Sequence, residues 1–146
     1  MAVSRSEPLL NLRFRVEVDG MPETGVVEVV FPQARLTGRT HTESRASYGT
    51  LVLRRGVRRS QEWHTWWEET RKTRRARSRT VNVTLLDESG VSAQRWTFRN
   101  ARPLAYALSN LNAVRQEVLI ETLELTVGSF ETSAASPSSS QRRRRA

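Results

Sequence analysis

The chain has 146 residues, no cysteine and a formal net charge of +9. Its length predicts one domain, and the absence of cysteine excludes disulfides and thiol catalysis and argues against structural zinc. No apolar stretch is long enough for a membrane helix, and the first residues lack the apolar region of a secretory signal, so we expect folding in the cytoplasm.

The positive charge is concentrated in two segments. Residues 54–79 carry a net charge of +7 and residues 132–146 carry +4, whereas the rest of the chain carries −2. Every basic residue except Lys72 is an arginine, the side chain best suited to bidentate contacts with carboxylate or phosphate. A codon bias toward arginine would explain the general excess of arginine over lysine. The basic segments themselves indicate either phosphate binding or pairing with acidic residues.

The first third of the chain predicts strands. Residues 10–18 alternate apolar and polar side chains, which is typical of a strand with one solvated face. Residues 25–31 predict a second strand, and a weak strand signal surrounds Ala34 and Leu36. A further strand is predicted over 48–54, just before a glycine.

The spacing of apolar residues then changes to that of a helix, predicted over 60–74 with Ser60 as its N-cap. Trp63, Trp66 and Trp67 share one face of this helix. We expect these three side chains to pack the helix onto a sheet. A platform for carbohydrate or bases, or an anchor in a subunit contact, are the alternatives.

Strands are predicted again in the second half. Thr80–Arg99 forms a hairpin around a turn, and a short strand over 101–107 follows a bend at Pro103. Residues 108–113 predict a turn or short helical piece, and residues 115–127 predict a long alternating strand.

These elements divide the chain into three parts. Residues 1–8 form an N-terminal arm, and residues 9–131 form a β domain with about seven strands and one helix. Residues 132–146 contain Ser, Ala, Pro and four arginines without apolar periodicity, so we expect this tail to be disordered.

The sequence offers little for catalysis. His41 and His64 are its only histidines, and it contains neither a glycine-rich phosphate loop nor a nucleophile elbow. We therefore predict no catalytic residues, no metal site and no cofactor, and we expect no enzymatic activity.

Several segments together resemble the tail-tube protein family of contractile phage tails and phage-like injection systems. The segment with the most specific resemblance is RNARPLAY at residues 99–106, followed by residues 111–113 and 118–125. Family members also have segments similar to the first strand NLRFRVEVDG, the tyrosine-led strand YGTLVLRRGV and the tryptophan helix QEWHTWW.

The resemblance implies a mainly β fold, an antiparallel β-sandwich or barrel-like domain with one flanking helix. It further implies six-membered rings whose sheets join around a lumen and which stack into a tube. The implied partners are other copies of the chain, a sheath protein, baseplate or tube-initiator proteins, and cargo in the lumen. The tube would assemble in the cytoplasm and become part of a phage or phage-like particle.

The charge distribution leads to an expectation about such rings. Crowded basic segments of neighbouring subunits need acidic partners, because exposed charges are screened only beyond about 8 Å. We expect pairing across subunits between two sets of residues: Arg54, Arg55, Arg58 and Arg59 on one side, and Glu23, Glu28 and Glu43 on the other.

A second hypothesis is a nucleic-acid-binding module that uses residues 54–79 and the arginine tail.

Within the tube hypothesis, two further questions stay open at the level of sequence. The chain could form the main shaft or initiate it at the baseplate, and the particle could be a phage tail or a headless device.

Overall fold

The computed structural model describes residues 9, 13–21, 23–38, 45–73 and 78–134. Within these residues the chain forms nine strands and one helix. In chain order they are β1 (Arg13–Val18), β2 (Val26–Val30), β3 (Ala34–Thr37), β4 (Arg45–Tyr48), β5 (Thr50–Gly56), α1 (Glu62–Lys72), β6 (Arg79–Leu86), β7 (Ser92–Leu108), β8 (Ile120–Thr126) and β9 (Ser129–Ala134). The predicted mainly β, antiparallel fold with one helix is confirmed.

The strands form two antiparallel sheets that share the 17-residue strand β7. Sheet I has the order β1–β6–β7–β9 and uses the first half of β7. Sheet II has the order β7–β8–β5–β2 and uses residues 102–108 of β7. A separate two-stranded hairpin, β3–β4, lies between β2 and β5 in the chain.

Strand β7 changes partners at Asn100. The backbone of this residue has a φ of 55°, the left-handed region that asparagine tolerates better than most residues. Arg99 is the last residue paired with β9, and Arg102 is the first paired with β8. The expected bend at Pro103 with a separate strand after it is therefore wrong, since β7 continues through Pro103 with only a bulge before Ala105.

The core lies between the two sheets, where the apolar faces of the alternating strands meet. It includes Val16 and Val18 of the first strand and Leu123 and Leu125 of β8. Helix α1 packs on β7 and closes this core with Trp63 and Trp66, whose side chains are almost completely buried. The ring of Trp67 is only half-buried.

The helix is shorter than predicted at both ends. Its N-cap is Gln61 in a left-handed conformation without a side-chain capping hydrogen bond, so the expected cap at Ser60 is wrong. Thr73 has an extended backbone, which ends the helix at Lys72. Glu68 forms ion pairs with Arg71 at 2.9 Å and Lys72 at 3.7 Å along the exposed face.

Two strand predictions need correction. The strand predicted over 48–54 is broken at Gly49, whose N–H donates to the carbonyl of Gln33, so that Tyr48 belongs to β4. The strand predicted over 115–127 begins only at Ile120, and residues 109–119 form neither a strand nor a helix.

The tail prediction is wrong for its first three residues, because β9 continues to Ala134 and pairs with β7. Backbone hydrogen bonds to a neighbouring strand can keep a polar segment in an edge strand even when its sequence has no alternating apolar pattern. Residues 1–8, 10–12 and 135–146, which include most of the predicted arm and tail, lie outside the described residues.

Trp63 and Trp67, the first and last tryptophans of α1, differ in burial. Their truncation to alanine should therefore lower the stability of the fold by different amounts. Trp63→Ala should lower the free energy of unfolding by about 3–5 kcal/mol, because it leaves a large cavity in the core. Trp67→Ala is the matched control and should cost clearly less, since its ring is already partly solvated. Urea denaturation measures both values, and equal losses would contradict this assignment of the core.

Candidate assembly interface

Sheet II has two edges whose backbone groups have no strand partner among the described residues. One edge is β2, which pairs only with β5. The other is residues 103–108 of β7, whose only strand partner among the described residues is β8. Free edges are templates for pairing with another chain, and monomeric proteins usually block them with charges, prolines or covering loops.

Each edge contains a bulge, and Pro103 lies on the β7 edge, but both edges also carry exposed apolar side chains. On β2, Val27 is 64% exposed and Val30 is 43% exposed. On the β7 edge, Leu104 and Leu108 are 56% and 54% exposed. Apolar side chains beside unpaired backbone groups are typical of a surface that another strand covers.

The two faces of sheet II differ in chemistry. Leu51 and Leu53 of β5 point into the core, whereas Thr50 and Val52 alternate with them on the opposite, open face. Charges on the open face are largely matched. Arg54 forms an ion pair with Glu28, and the hydroxyl of Thr50 donates to Glu124 at 2.8 Å.

A buried ion pair lies on the core face of the same sheet. The Nε of Arg55 donates to Oε1 of Glu121 at 2.6 Å, and both side chains are almost completely buried. Nη1 of Arg55 also donates to the carbonyl of Thr24 at 3.0 Å. The guanidinium lies over the ring of Trp63, 4.1 Å from its centroid, in a cation–π contact.

Tyr106 completes this cluster, which we call the arginine cluster: Arg55, Glu121, Tyr106, Trp63 and the Thr24 carbonyl. The Tyr106 hydroxyl donates to Oε2 of Glu121 at 2.7 Å. Burial, the hydrogen bond to Glu121 and the charge of Glu121 together raise the pKa of Tyr106 above its ordinary value. The cluster joins β5, β7 and β8 of sheet II to the helix and to the segment before β2.

The structure places the predicted interface arginines as follows. Arg54, Arg55 and Arg58 all bond within their own chain, and Arg58 donates to the backbone carbonyl of Glu23 at 2.5 Å. Arg59 is exposed, and Glu43 lies outside the described residues. Arg55 is buried within its own chain and is not available to a neighbouring subunit. For Arg54, Arg58 and Arg59, pairing with acids of a neighbouring subunit stays a prediction.

Sequence reasoning missed the arginine cluster. Its signal was present in the predicted strand over 115–127, where Glu121 shares the apolar face of Leu123 and Leu125. A charged residue on an otherwise apolar face needs a buried partner. The partner Arg55 lies 66 residues away, on the apolar face of another strand.

The described residues contain no group of three or more His, Cys, Asp or Glu side chains arranged to hold a metal ion. They also contain no helix that is long and apolar enough to cross a membrane.

The sequence matches the family model of the T4-like virus tail tube protein gp19 over residues 10–131. This match covers most of the chain and nearly all of its described part. The chain belongs to the gp19 tail tube family. Among curated proteins, by contrast, none has significant sequence similarity to it.

Solved structures share the tail tube fold at low sequence identity. A chain in the PVC sheath/tube terminator of an extracellular contractile injection system is 16% identical, with a TM-score of 0.72 and coverage of 90% of this chain and 100% of that one. A chain in the anti-feeding prophage baseplate is 20% identical, with a TM-score of 0.63 and coverage of 88% and 97%. Hcp1 from Flavobacterium johnsoniae is 14% identical, with a TM-score of 0.60 and coverage of 84% and 95%.

The arginine cluster predicts a strong effect of removing one charge. Glu121→Ala should lower the free energy of unfolding by about 3–5 kcal/mol, because it leaves Arg55 buried and unpaired. Tyr106→Phe, which removes one hydrogen bond, should cost only about 1 kcal/mol. The double variant Arg55→Met/Glu121→Leu should recover most of the loss. Urea denaturation tests this order, and a Glu121→Ala variant as stable as Tyr106→Phe would contradict it.

Tyr106 predicts a loss of stability at high pH. An unfolded tyrosine ionises near pH 10, whereas the raised pKa keeps the folded side chain protonated above that pH. The contribution of Tyr106 is therefore fully present below about pH 10 and is lost as the pH rises further.

Tyr106→Phe lacks this titration. The stability advantage of the wild type over Tyr106→Phe should therefore shrink between about pH 8 and about pH 11. Urea denaturation at both pH values measures it. An advantage that is equal at the two pH values would show that folding does not raise the pKa of Tyr106.

Proposed function

We propose that this tail tube subunit forms six-membered rings by joining sheet II of each copy to sheet II of the next. The observation that carries the proposal is the pair of free edges on one four-stranded sheet, β2 on one side and β7 on the other. A contact between two different edges is heterologous, and such contacts close into a ring when the rotation between copies allows it. Closure removes both edges, as it does in a β-barrel.

The open face of sheet II is the surface that we assign to the lumen of the ring. Its core face is already occupied by the helix tryptophans and the strands of sheet I. The register between paired strands puts two acids, Glu28 and Glu124, and two arginines, Arg54 and Arg102, on the open face. Their formal charges cancel, so this wall would let cargo pass without a strong attraction for either sign of charge.

The role is structural in this proposal, and no catalytic step is assigned to the chain. Stacked rings would form an inner tube that works with a sheath and a baseplate, as part of a phage or phage-like particle assembled in the cytoplasm. Support for these partners comes from the family and from similar folds found in a sheath/tube terminator and a baseplate.

The nucleic-acid-binding hypothesis is not supported by the family match, and its basis in residues 54–79 is weakened. Five arginines of the basic segment bond to oxygen atoms of their own chain: Arg54, Arg55, Arg58, Arg71 and Arg79. Arginines held in this way have fewer N–H groups left for phosphate. The net charge is thus better explained by structure and assembly than by a nucleic-acid partner.

The ring contact is tested by placing a charge on the free β2 edge. The wild type should form rings of six copies, visible by negative-stain microscopy and by light scattering after size-exclusion chromatography. Val27→Asp should remain folded but monomeric, because a buried aspartate would have no partner in the joined sheet. Circular dichroism checks that the variant is folded.

Val91→Asp is the matched control, because Val91 is also exposed, at 45%, but lies in the turn between β6 and β7. This variant should form rings like the wild type. A wild type that stays monomeric at high concentration, or rings formed equally well by Val27→Asp, would contradict the proposed contact.

A further inference from the structure

Helix α1 packs on β7, the strand whose residues 103–108 form one free edge of sheet II. Its side chains Trp63 and Trp66 are buried in the core. The next flank of the helix contacts the edge strand instead, because the ring of His64 lies 5.3 Å from the ring of Tyr106, at an angle of 68° between the ring planes. The helix therefore lies beside the edge that the proposed ring contact would join.

We call His64, Trp67 and Arg71 the helix flank. The centroids of the His64 and Trp67 rings are 6.2 Å apart, and the guanidinium of Arg71 lies 5.9 Å from the centroid of Trp67. Glu68 pairs with both Arg71 and Lys72, so this end of the helix keeps a net charge of +1. His64 and Arg71 are exposed, and Trp67 is only half-buried. Tryptophan and arginine are enriched among the residues that dominate protein interfaces, so this flank indicates a contact.

A groove of about 660 Å³ lies beside the other free edge of sheet II, at the start of β2. Its walls are strand β1 and residues 19–21 and 23–26, which precede and begin β2. The two walls are held together, because the hydroxyl of Thr24 donates to the carbonyl of Val16 at 2.6 Å. We call this space the edge groove.

The charged residues of the edge groove are mostly acidic. Glu17, Asp19 and Glu23 are exposed in its lining, which also contains Arg15 and Arg58. Arg58 already donates to the backbone carbonyl of Glu23. The formal charge of the lining is therefore −1, opposite in sign to that of the helix end. Complementary charges of this kind favour one partner and one orientation in a contact.

The register of sheet II puts the helix flank and the edge groove at the same level, on opposite sides of the sheet. The paired strands form one row of residues from β2 to β7: Val26, Arg55, Glu121 and Leu108. Val26 lines the groove at one end of this row. At the other end, Tyr106 lies under the helix flank and is two residues from Leu108. Copies repeated around a ring therefore bring the flank of one copy to the groove of the next.

We propose that the helix flank of one copy packs into the edge groove of the next copy and forms a second, outer contact of the ring. Neighbouring copies in a closed ring are rotated relative to each other, so their outer layers diverge from the joined sheet edges. The helix flank is placed to fill the resulting wedge. Trp67 would pack against the half-buried Met21 and Val26, and Arg71 would lie near Glu23. The inference rests on the proposed function, since it adds a contact to the same ring.

Cross-linking tests this contact without interference from the chain itself, because the chain has no cysteine. Rings of the Glu23→Cys/Arg71→Cys variant, treated with a short bismaleimide, should give a ladder that ends at six linked chains on a denaturing gel. Each single-cysteine variant should give no ladder. Arg71→Cys/Ser133→Cys is the matched control and should give none either, because Ser133 is exposed but lies on β9, at the edge of sheet I opposite β1.

A second measurement changes the helix flank itself. Trp67→Ser should raise the subunit concentration needed to keep rings assembled by roughly tenfold or more, because an interface tryptophan contributes strongly to binding. Glu69→Ala is the matched control and should leave that concentration unchanged, since Glu69 is exposed on the same helix outside the flank. Light scattering over a dilution series measures the effect, and circular dichroism checks that both variants are folded.

Rings that give no links between positions 23 and 71 would overturn the inference while leaving the contact between sheet edges intact. This result stands even if Trp67→Ser fails to fold, because the cross-linking variants keep that tryptophan. Rings of Trp67→Ser that dissociate at the wild-type concentration would overturn it too, since the flank would then be available to the sheath. Failure of the proposed function looks different, because the wild type would form no rings at all and both proposals would fall together.

Discussion

Backbone hydrogen bonding at the two edges of sheet II is the constraint on which the assembly depends. Each backbone N–H and C=O that leaves water must find a partner, and in one chain the outer sides of β2 and of residues 103–108 of β7 have no strand partner among the described residues. Joining the two edges between copies satisfies both at once. The exposed Val27 and Leu104 beside these edges would be covered in the same step.

The arginine cluster supports this pairing of edges because it stabilises sheet II from the core side. A buried ion pair gains stability only if its remaining hydrogen-bonding groups are also satisfied. Here Glu121 accepts bonds from Arg55 and Tyr106, and Arg55 also bonds to a carbonyl and lies on Trp63. Most groups of the pair are thus satisfied, although Nη2 of Arg55 is buried without a hydrogen-bond partner in the part of the chain that the structure describes. These contacts link three of the four strands of the sheet to the helix. They therefore hold sheet II, including its two edges, in a fixed position on the core.

Much of the fold could be predicted from the sequence, because local periodicity determines it. The alternation of Val81 and Val83 or of Leu123 and Leu125, and the helical spacing of Trp63 and Trp66, gave the right element type. The residues at which helices and strands begin and end were harder to predict, because contacts with residues distant in sequence decide them. The alternating pattern of residues 115–119 does not form a strand; there the N–H of Arg115 donates to the Asn112 side chain and the N–H of Glu117 donates to the carbonyl of Arg115.

The site was less accessible to sequence reasoning than the fold. The strand β9 has a polar composition and is held by its pairing with β7, which no local pattern reveals. The partner of Glu121 lies on a distant strand, and the free edges become visible only when the strand order is known. The arginines near residue 55 were expected to face neighbouring subunits, yet three of them bond within the chain.

A cryo-EM reconstruction of the assembled protein tests the central claim most directly. The account predicts backbone hydrogen bonds between β2 of one copy and residues 103–108 of β7 in the next, with Glu28, Arg54 and Glu124 facing the lumen. A ring in which these two edges remain unpaired, or in which the open face of sheet II points away from the lumen, would contradict it.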